Sequence, residues 1–149
     1  MKKVEYEEYK EEVAKNQKDN QIYLKEFTSW LEEKGLSSKT IRNHVSNVDF
    51  YINEYLNYYA AIPMEDGMME ASEFFSDFFI RKCMWSTGYA TKTTSASLKK
   101  FYQCMMEKGH IPKEKYEFLC RLIKEELHDW VDAVERYNNI DDEDDWFDF

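Results

Sequence analysis

Only four glycines and two prolines punctuate the 149 residues of this chain, and that scarcity constrains its fold more than any other feature. A sheet needs frequent tight turns, and those turns consume glycine and proline. Apolar residues also recur at spacings of three and four from Ile41 to Tyr59, the period of an amphipathic helix. The sequence therefore predicts an all-α fold made of a few long helices.

Local signals place the ends of six predicted helices. The predicted breaks lie at Asp19-Asn20, at Gly35, between Pro63 and Gly67, between Trp85 and Gly88, and at Gly109. Gly35 and Gly109 suit the left-handed position that closes a helix. Ser37 or Ser38 is expected to cap the third helix, and Thr91, Thr93 or Thr94 to begin the fifth. The fourth helix carries Phe74, Phe75, Phe78 and Phe79, so we expect it to be central.

Composition limits the class of protein. Hydrophobic residues make up 43% and aromatics 17% of the chain, enough for a real core. We expect one helical domain over residues 1–138 and an acidic aromatic tail over 139–149. Met1 leads into charged residues and no run of about 18 apolar residues occurs, which favours a cytoplasmic location. The cysteines Cys83, Cys104 and Cys120 are expected to be free thiols, and no metal or cofactor is expected.

The net charge of -10 is unevenly distributed. From His128 to Phe149 there are nine acidic residues and one basic residue, Arg136, which gives -8. The other 127 residues hold 19 basic and 21 acidic side chains, or -2. The acidity belongs mainly to the C-terminal end, so the net charge of the whole chain says little about the surface of the body.

Two segments together carry a family resemblance. They are Leu36 to Leu56, LSSKTIRNHVSNVDFYINEYL, and Thr91 to Ile111, TKTTSASLKKFYQCMMEKGHI, with FTSWLEEKG from Phe27 to Gly35 before the first. In order and content they resemble the N-terminal core-binding domain of tyrosine recombinases and phage integrases, over roughly residues 20–112. The resemblance implies a SAM-like four-helix bundle, here with additional N- and C-terminal helices, that forms half of a clamp around DNA.

The catalytic half of that family has no counterpart in this sequence. It would supply an arginine, a histidine-x-x-arginine pair and a tyrosine nucleophile. The residues three positions after His44, His110 and His128 are Asn47, Lys113 and Val131. The chain is therefore expected to be a DNA-binding module and not an enzyme.

Two stretches without acidic residues predict where double-stranded DNA would bind. They run from Lys34 to Val48 and from Ile80 to Cys104, in a chain with 30 carboxylates. The candidate DNA-binding residues are Lys39, Thr40, Arg42, Asn43, Lys92, Thr94, Lys99 and Lys100. The alternative is that these residues only cap and solvate exposed helix starts.

The C-terminal residues DDEDDWFDF form a second candidate site. Acidic residues followed by Trp146, Phe147 and Phe149 are similar in kind to the partner-docking tails of bacterial single-stranded-DNA-binding proteins. The alternatives are that these aromatics pack on the chain's own body or stay disordered. A second hypothesis for the whole chain follows: a protein-interaction module that has lost DNA contact and binds a partner, or itself, through this tail and an aromatic surface.

Overall fold

A computed structural model describes the backbone of residues 3–147 and the side chains of residues 3–139. The α-helices are α1 (Lys3–Glu33), α2 (Ser38–Asp49), α3 (Ala71–Glu73), α4 (Phe79–Lys82), α5 (Gly88–Glu107) and α6 (Lys113–Phe147). π-Helical turns follow α2 (Phe50–Tyr55) and join α3 to α4 (Phe74–Phe78), and a 3-10 helix (Met64–Glu70) precedes α3. No strand occurs in residues 3–147, so the all-α prediction is confirmed. The SAM-like arrangement and the boundary at residue 138 stay predictions.

The predicted break at Asp19-Asn20 is wrong, because α1 is one helix of 31 residues. Asn20 is buried and does not cap a helix. Its side-chain amide donates to the Ile52 carbonyl at 3.1 Å and to Asn53 Oδ1 at 2.8 Å. One turn earlier, Asn16 donates to Asn57 Oδ1 at 3.2 Å. A buried polar side chain with tertiary partners has the same sequence signature as a cap, and here the tertiary partners decide its role.

Most of the other predicted helix ends are confirmed, because they depend on interactions between neighbouring residues. Gly35 and Gly109 have φ angles of +80° and +82°, the left-handed conformation that glycine adopts without strain. Ser37 caps α2 by accepting a hydrogen bond from the Thr40 amide at 3.2 Å. The fifth helix starts at Gly88, earlier than predicted, because Thr87 caps it and accepts from the Ala90 amide at 2.9 Å.

The segment from Ala71 to Lys82 lies at the centre of the core, as its aromatic content predicted. Phe74 is fully buried, with its ring centroid 5.0 Å from that of Tyr51 and 4.8 Å from that of Tyr55. Phe75 stacks on Trp130 of α6 with 4.7 Å between centroids. Because the turn after α2 and helix α6 both contact these rings, the central segment fixes how α2 and α6 sit relative to each other. None of the helices in the described part of the chain is both long and apolar enough to cross a bilayer.

Candidate nucleic-acid interface

One face of α5 presents a line of cationic and polar side chains to solvent. Tyr89, Lys92 and Lys99 are exposed, and Thr93 and Lys100 are partly exposed. Their spacings of three, four and seven residues put them on one side of a helix. We call this set the α5 stripe. It includes three of the four residues that were predicted on this helix, all of them lysines.

The predicted residues of α2 divide between two sides of that helix. Thr40 and Asn43 face α5, where they line a groove between the two helices. Arg42 instead lines the recesses between α2 and α1, next to Glu32 and Asp49. Lys39 is exposed near the start of α2. The structure therefore brings Thr40 and Asn43 together with the α5 stripe and places Arg42 on a different side of α2.

The groove between α2 and α5 has a volume of about 400 Å³. Its lining residues are Thr40, Asn43, His44, Ser46, Asn47, Tyr89, Thr93 and Ser97, and we call it the α2–α5 groove. Among the described residues that line it, none is a carboxylate. The lining consists of amides, hydroxyls, an imidazole and a phenol, so the groove offers hydrogen bonds without fixed negative charge.

Ser97 orients the polar groups of the groove floor. Its hydroxyl donates to the Thr93 carbonyl at 2.9 Å and accepts from Asn47 Nδ2 at 3.1 Å. His44 Nδ1 lies 2.7 Å from the same oxygen. Because the single serine proton is directed to the Thr93 carbonyl, we assign the proton between Ser97 and His44 to Nδ1. That tautomer leaves His44 Nε2 as an acceptor, and the hydrogen bond to Ser97 orients the Asn47 amide.

Burial and the nearby Lys100 ammonium lower the pKa of His44 below its ordinary value of 6.5. The imidazole is therefore neutral at pH 7. Because folding lowers this pKa, protonation of His44 at low pH destabilises the folded state. The stability that His44 contributes is complete above pH 6.5, the unfolded value, and is lost as the pH falls from there through the lower folded pKa.

A variant of Lys100 tests this geometry without any ligand. The Lys100 charge is the smaller of the two causes that lower the pKa of His44, and Lys100→Gln removes it. We therefore expect the pKa of His44 to rise but to stay below 6.5, because burial persists. Lys99→Gln is the matched control, since Lys99 is the adjacent and more exposed lysine. The measurement is an NMR titration of the imidazole protons, assigned with His44→Gln. Equal shifts in both lysine variants would contradict the placement of Lys100 beside His44.

Five cations predicted for DNA contact have no ion-pair partner in the part of the chain whose side chains are described. Among the side chains of residues 3–139, none of Lys39, Arg42, Lys92, Lys99 and Lys100 forms an ion pair with a carboxylate. A few cations elsewhere are paired: Arg81 lies 2.6 Å from Asp77, and Lys115 lies 3.2 Å from Asp66. Unpaired ammonium groups are available to an external anion.

Comparison with protein-family models, curated proteins and solved structures found no match to this chain. The likeness to recombinase core-binding domains consequently rests on the sequence segments described above.

The prediction that Thr94 contacts DNA is not supported by its position, because the side chain is only 2% exposed. Its hydroxyl faces the interior and has no hydrogen-bond partner among the described residues. The neighbouring hydroxyls of Thr91 and Ser95 are buried as well, and they donate at 2.8 Å to the main-chain carbonyls of Thr87 and Lys92 respectively. These hydroxyls pack α5 against the bundle, so they are not free to contact phosphate.

The start of α5 is also a poor place for a phosphate. The Glu135 carboxylate of α6 lies so close to Gly88 that a Cβ added there would overlap Oε1. A helix N-terminus attracts anions, but here a carboxylate of the same chain already lies against it. Any anion bound by α5 must therefore bind along the stripe and not at the helix end.

The candidate DNA-binding residues chosen from the sequence omitted six residues of the groove, namely His44, Ser46, Asn47, Tyr89, Thr93 and Ser97. A signal was present, because Asn43 and Asn47 are four residues apart, as are Tyr89 and Thr93. Such spacings show that two residues share a helix face. They do not show which other helix that face meets.

Cys83 and Cys104 do not supply a reactive thiolate. Burial raises the pKa of Cys83 to about 11 and that of Cys104 to about 12, so both stay protonated at neutral pH. In the described part of the chain, no three histidine, cysteine or acidic side chains are grouped as metal ligands. The predicted partner-binding residues Trp146, Phe147 and Phe149 lie outside the residues whose side chains are described.

Proposed function

We propose that this chain is a non-catalytic nucleic-acid-binding module that plays the role of a recombinase core-binding arm. The observation that carries the proposal is a set of α5-stripe lysines that have no ion-pair partner among the described side chains, beside a polar groove whose described lining contains no acid. Lysines of this kind neutralise phosphates and release counterions, the main source of affinity for DNA. Amides and hydroxyls in the groove then position the bound strand.

The number of cations sets the expected strength of binding. Three stripe lysines neutralise at most about three phosphates, which predicts a roughly 40-fold loss of affinity for duplex DNA between about 50 and 200 mM salt. The body of the chain carries -2 and the last 22 residues carry -8, and this charge opposes binding. We therefore expect weak binding, with a dissociation constant of roughly micromolar order at low salt.

The proposed role is binding alone, without a chemical step. His44 is held through Nδ1 by Ser97, and the described lining contains no carboxylate to act as a base. Arg42, the one arginine of α2, lines a different recess. The groove is suited to hold a nucleic acid, and its described lining lacks the arginines that the recombinase reaction uses.

The direct test is a fluorescence-anisotropy titration of labelled DNA with the full-length chain. Duplex and single-stranded forms of one sequence are each measured at about 20 and about 150 mM salt. Binding of either form that weakens steeply with salt supports the proposal. No binding to either form at the lower salt would remove it.

An exposed aromatic patch favours a second function, that of a protein-interaction module. The patch consists of Tyr58, Tyr59, Met84 and Trp85, which are 51% to 102% exposed. Its aromatic rings are linked beneath the surface, because Tyr58 and Tyr59 contact Phe78, Trp85 contacts Phe50, and Phe50 in turn contacts Phe78. Clustered exposed apolar groups mark surfaces that bind other proteins.

Sedimentation velocity distinguishes this second function. Self-association through the patch raises the sedimentation coefficient with concentration, and Met84→Lys abolishes that rise. Met84 is 102% exposed, so the substitution leaves the core intact. A monomer at every concentration would contradict self-association through the patch.

A further inference from the structure

We infer that the α2–α5 groove receives an unpaired nucleobase, so that the ligand of this module is single-stranded DNA. The inference rests on the proposed function and narrows it from nucleic acid in general to one form. It differs from the duplex expected from the sequence. Three features of the structure carry it: the shape of the groove, the chemistry of its lining and the exposure of Tyr89.

The groove is a recess between two packed helices. Reading a duplex requires a helix or β-ribbon that projects into the major groove, where the edges of paired bases are presented. The polar side chains that line the groove lie between α2 and α5, so a base edge reaches them only by entering the recess. A recess of about 400 Å³ instead accepts a single nucleobase that is no longer stacked on its neighbours.

The lining has the donors and acceptors that a base edge needs. Asn43 is exposed, and its amide makes no hydrogen bond within the described residues, so both a donor and an acceptor are free. Asn47 Nδ2 is used by Ser97, which leaves its Oδ1 as an acceptor. The His44 tautomer adds Nε2 as another acceptor. Base edges present donors and acceptors side by side, and amide side chains pair with such edges.

Tyr89 supplies a ring at the groove. Its side chain is 79% exposed, although most aromatic rings of this chain are buried or contact another ring. Stacking of bases on exposed aromatic rings is the usual way in which proteins hold single strands, and it tolerates any base. In the intact duplex the base faces are covered by their neighbours, so the ring has no comparable partner there.

The lysines indicate a strand rather than a free nucleotide. Lys92 and Lys99 are seven residues apart on one helix, which corresponds to roughly 10 Å along its axis. This separation exceeds the size of one phosphate group. Cations spread over such a length match consecutive phosphates of a backbone that passes the groove.

The experiment uses the full-length chain with a labelled single strand of about 12 nucleotides, the matched duplex and an unlabelled mononucleotide as competitor. We expect the strand to bind roughly tenfold more tightly than the duplex at equal salt. Tyr89→Ala should weaken strand binding roughly tenfold, and Tyr89→Phe should keep it, because stacking needs the ring and not the hydroxyl. Tyr6→Ala, at another exposed tyrosine, is the matched control and should change nothing.

The outcomes separate this inference from the function on which it rests. Equal affinity for strand and duplex, with Tyr89→Ala neutral and Lys99→Glu weakening both, would overturn the inference and leave the proposed function in place. Competition by the mononucleotide as strong as that by the strand would also overturn it. Absence of binding to both forms would remove the proposed function together with the inference.

Discussion

Replacing Phe74 with alanine should lower the free energy of unfolding by about 3–5 kcal/mol. Phe74 is completely buried, and its ring contacts Tyr51, Tyr55, Phe75 and Phe79 at centroid distances of 4.8 to 5.3 Å. Truncation removes these contacts and leaves a cavity where the central segment meets the segment after α2. Because small domains are stable by only about 5–15 kcal/mol, this is a large fraction of the total.

Urea denaturation followed by circular dichroism measures the effect. Tyr89→Ala is the control, since the same kind of truncation at an exposed ring should change stability by less than about 0.5 kcal/mol. The same pair of variants also checks that the loss of strand binding expected for Tyr89→Ala does not come from unfolding. A wild-type unfolding midpoint for Phe74→Ala would show that the central segment is packed differently.

Reversing two charges of the α5 stripe should have the largest effect on binding. Lys99→Glu with Lys100→Glu removes two phosphate contacts and places two carboxylates beside the groove. We expect affinity at low salt to fall by at least about 100-fold and the salt slope to shrink by about two. The measurement is the anisotropy titration described above, repeated with the variant.

The control must change the net charge by the same amount. Lys18→Glu with Lys124→Glu does so at exposed positions of α1 and α6, outside the groove lining. We expect a far smaller loss for this pair, because only long-range repulsion changes, and added salt screens it. Equal losses in the two double variants would mean that net charge, and not the α5 stripe, governs binding.

Fold class and most helix ends could be predicted because their causes are local. A left-handed residue at Gly35 or Gly109 and a capping hydroxyl at Ser37 depend on a few neighbouring residues. The break predicted at Asp19-Asn20 failed because Asn20 bonds to Ile52 and Asn53, which are more than 30 residues away in sequence. A short-range pattern does not reveal that kind of partner.

The candidate site likewise contains residues that could be predicted from the sequence and residues that could not. The lysines of α5 could be predicted because charge is read directly from the sequence and because long cationic side chains stay exposed. Thr94 was misplaced because a small hydroxyl residue suits a buried helix contact as well as a surface. The groove itself arises only when α2 packs against α5, so His44, Asn47 and Tyr89 were not identified before that packing was known.

The central claim is that nucleic acid binds between α2 and α5, and amide chemical-shift mapping tests it most directly. Isotope-labelled full-length chain is titrated at low salt with the same single strand. The account predicts that the largest shifts fall in residues 39–47 and 88–100, with residues 58–59 and 84–85 unchanged. Shifts centred on the aromatic patch, or no shifts at saturating strand, would contradict it.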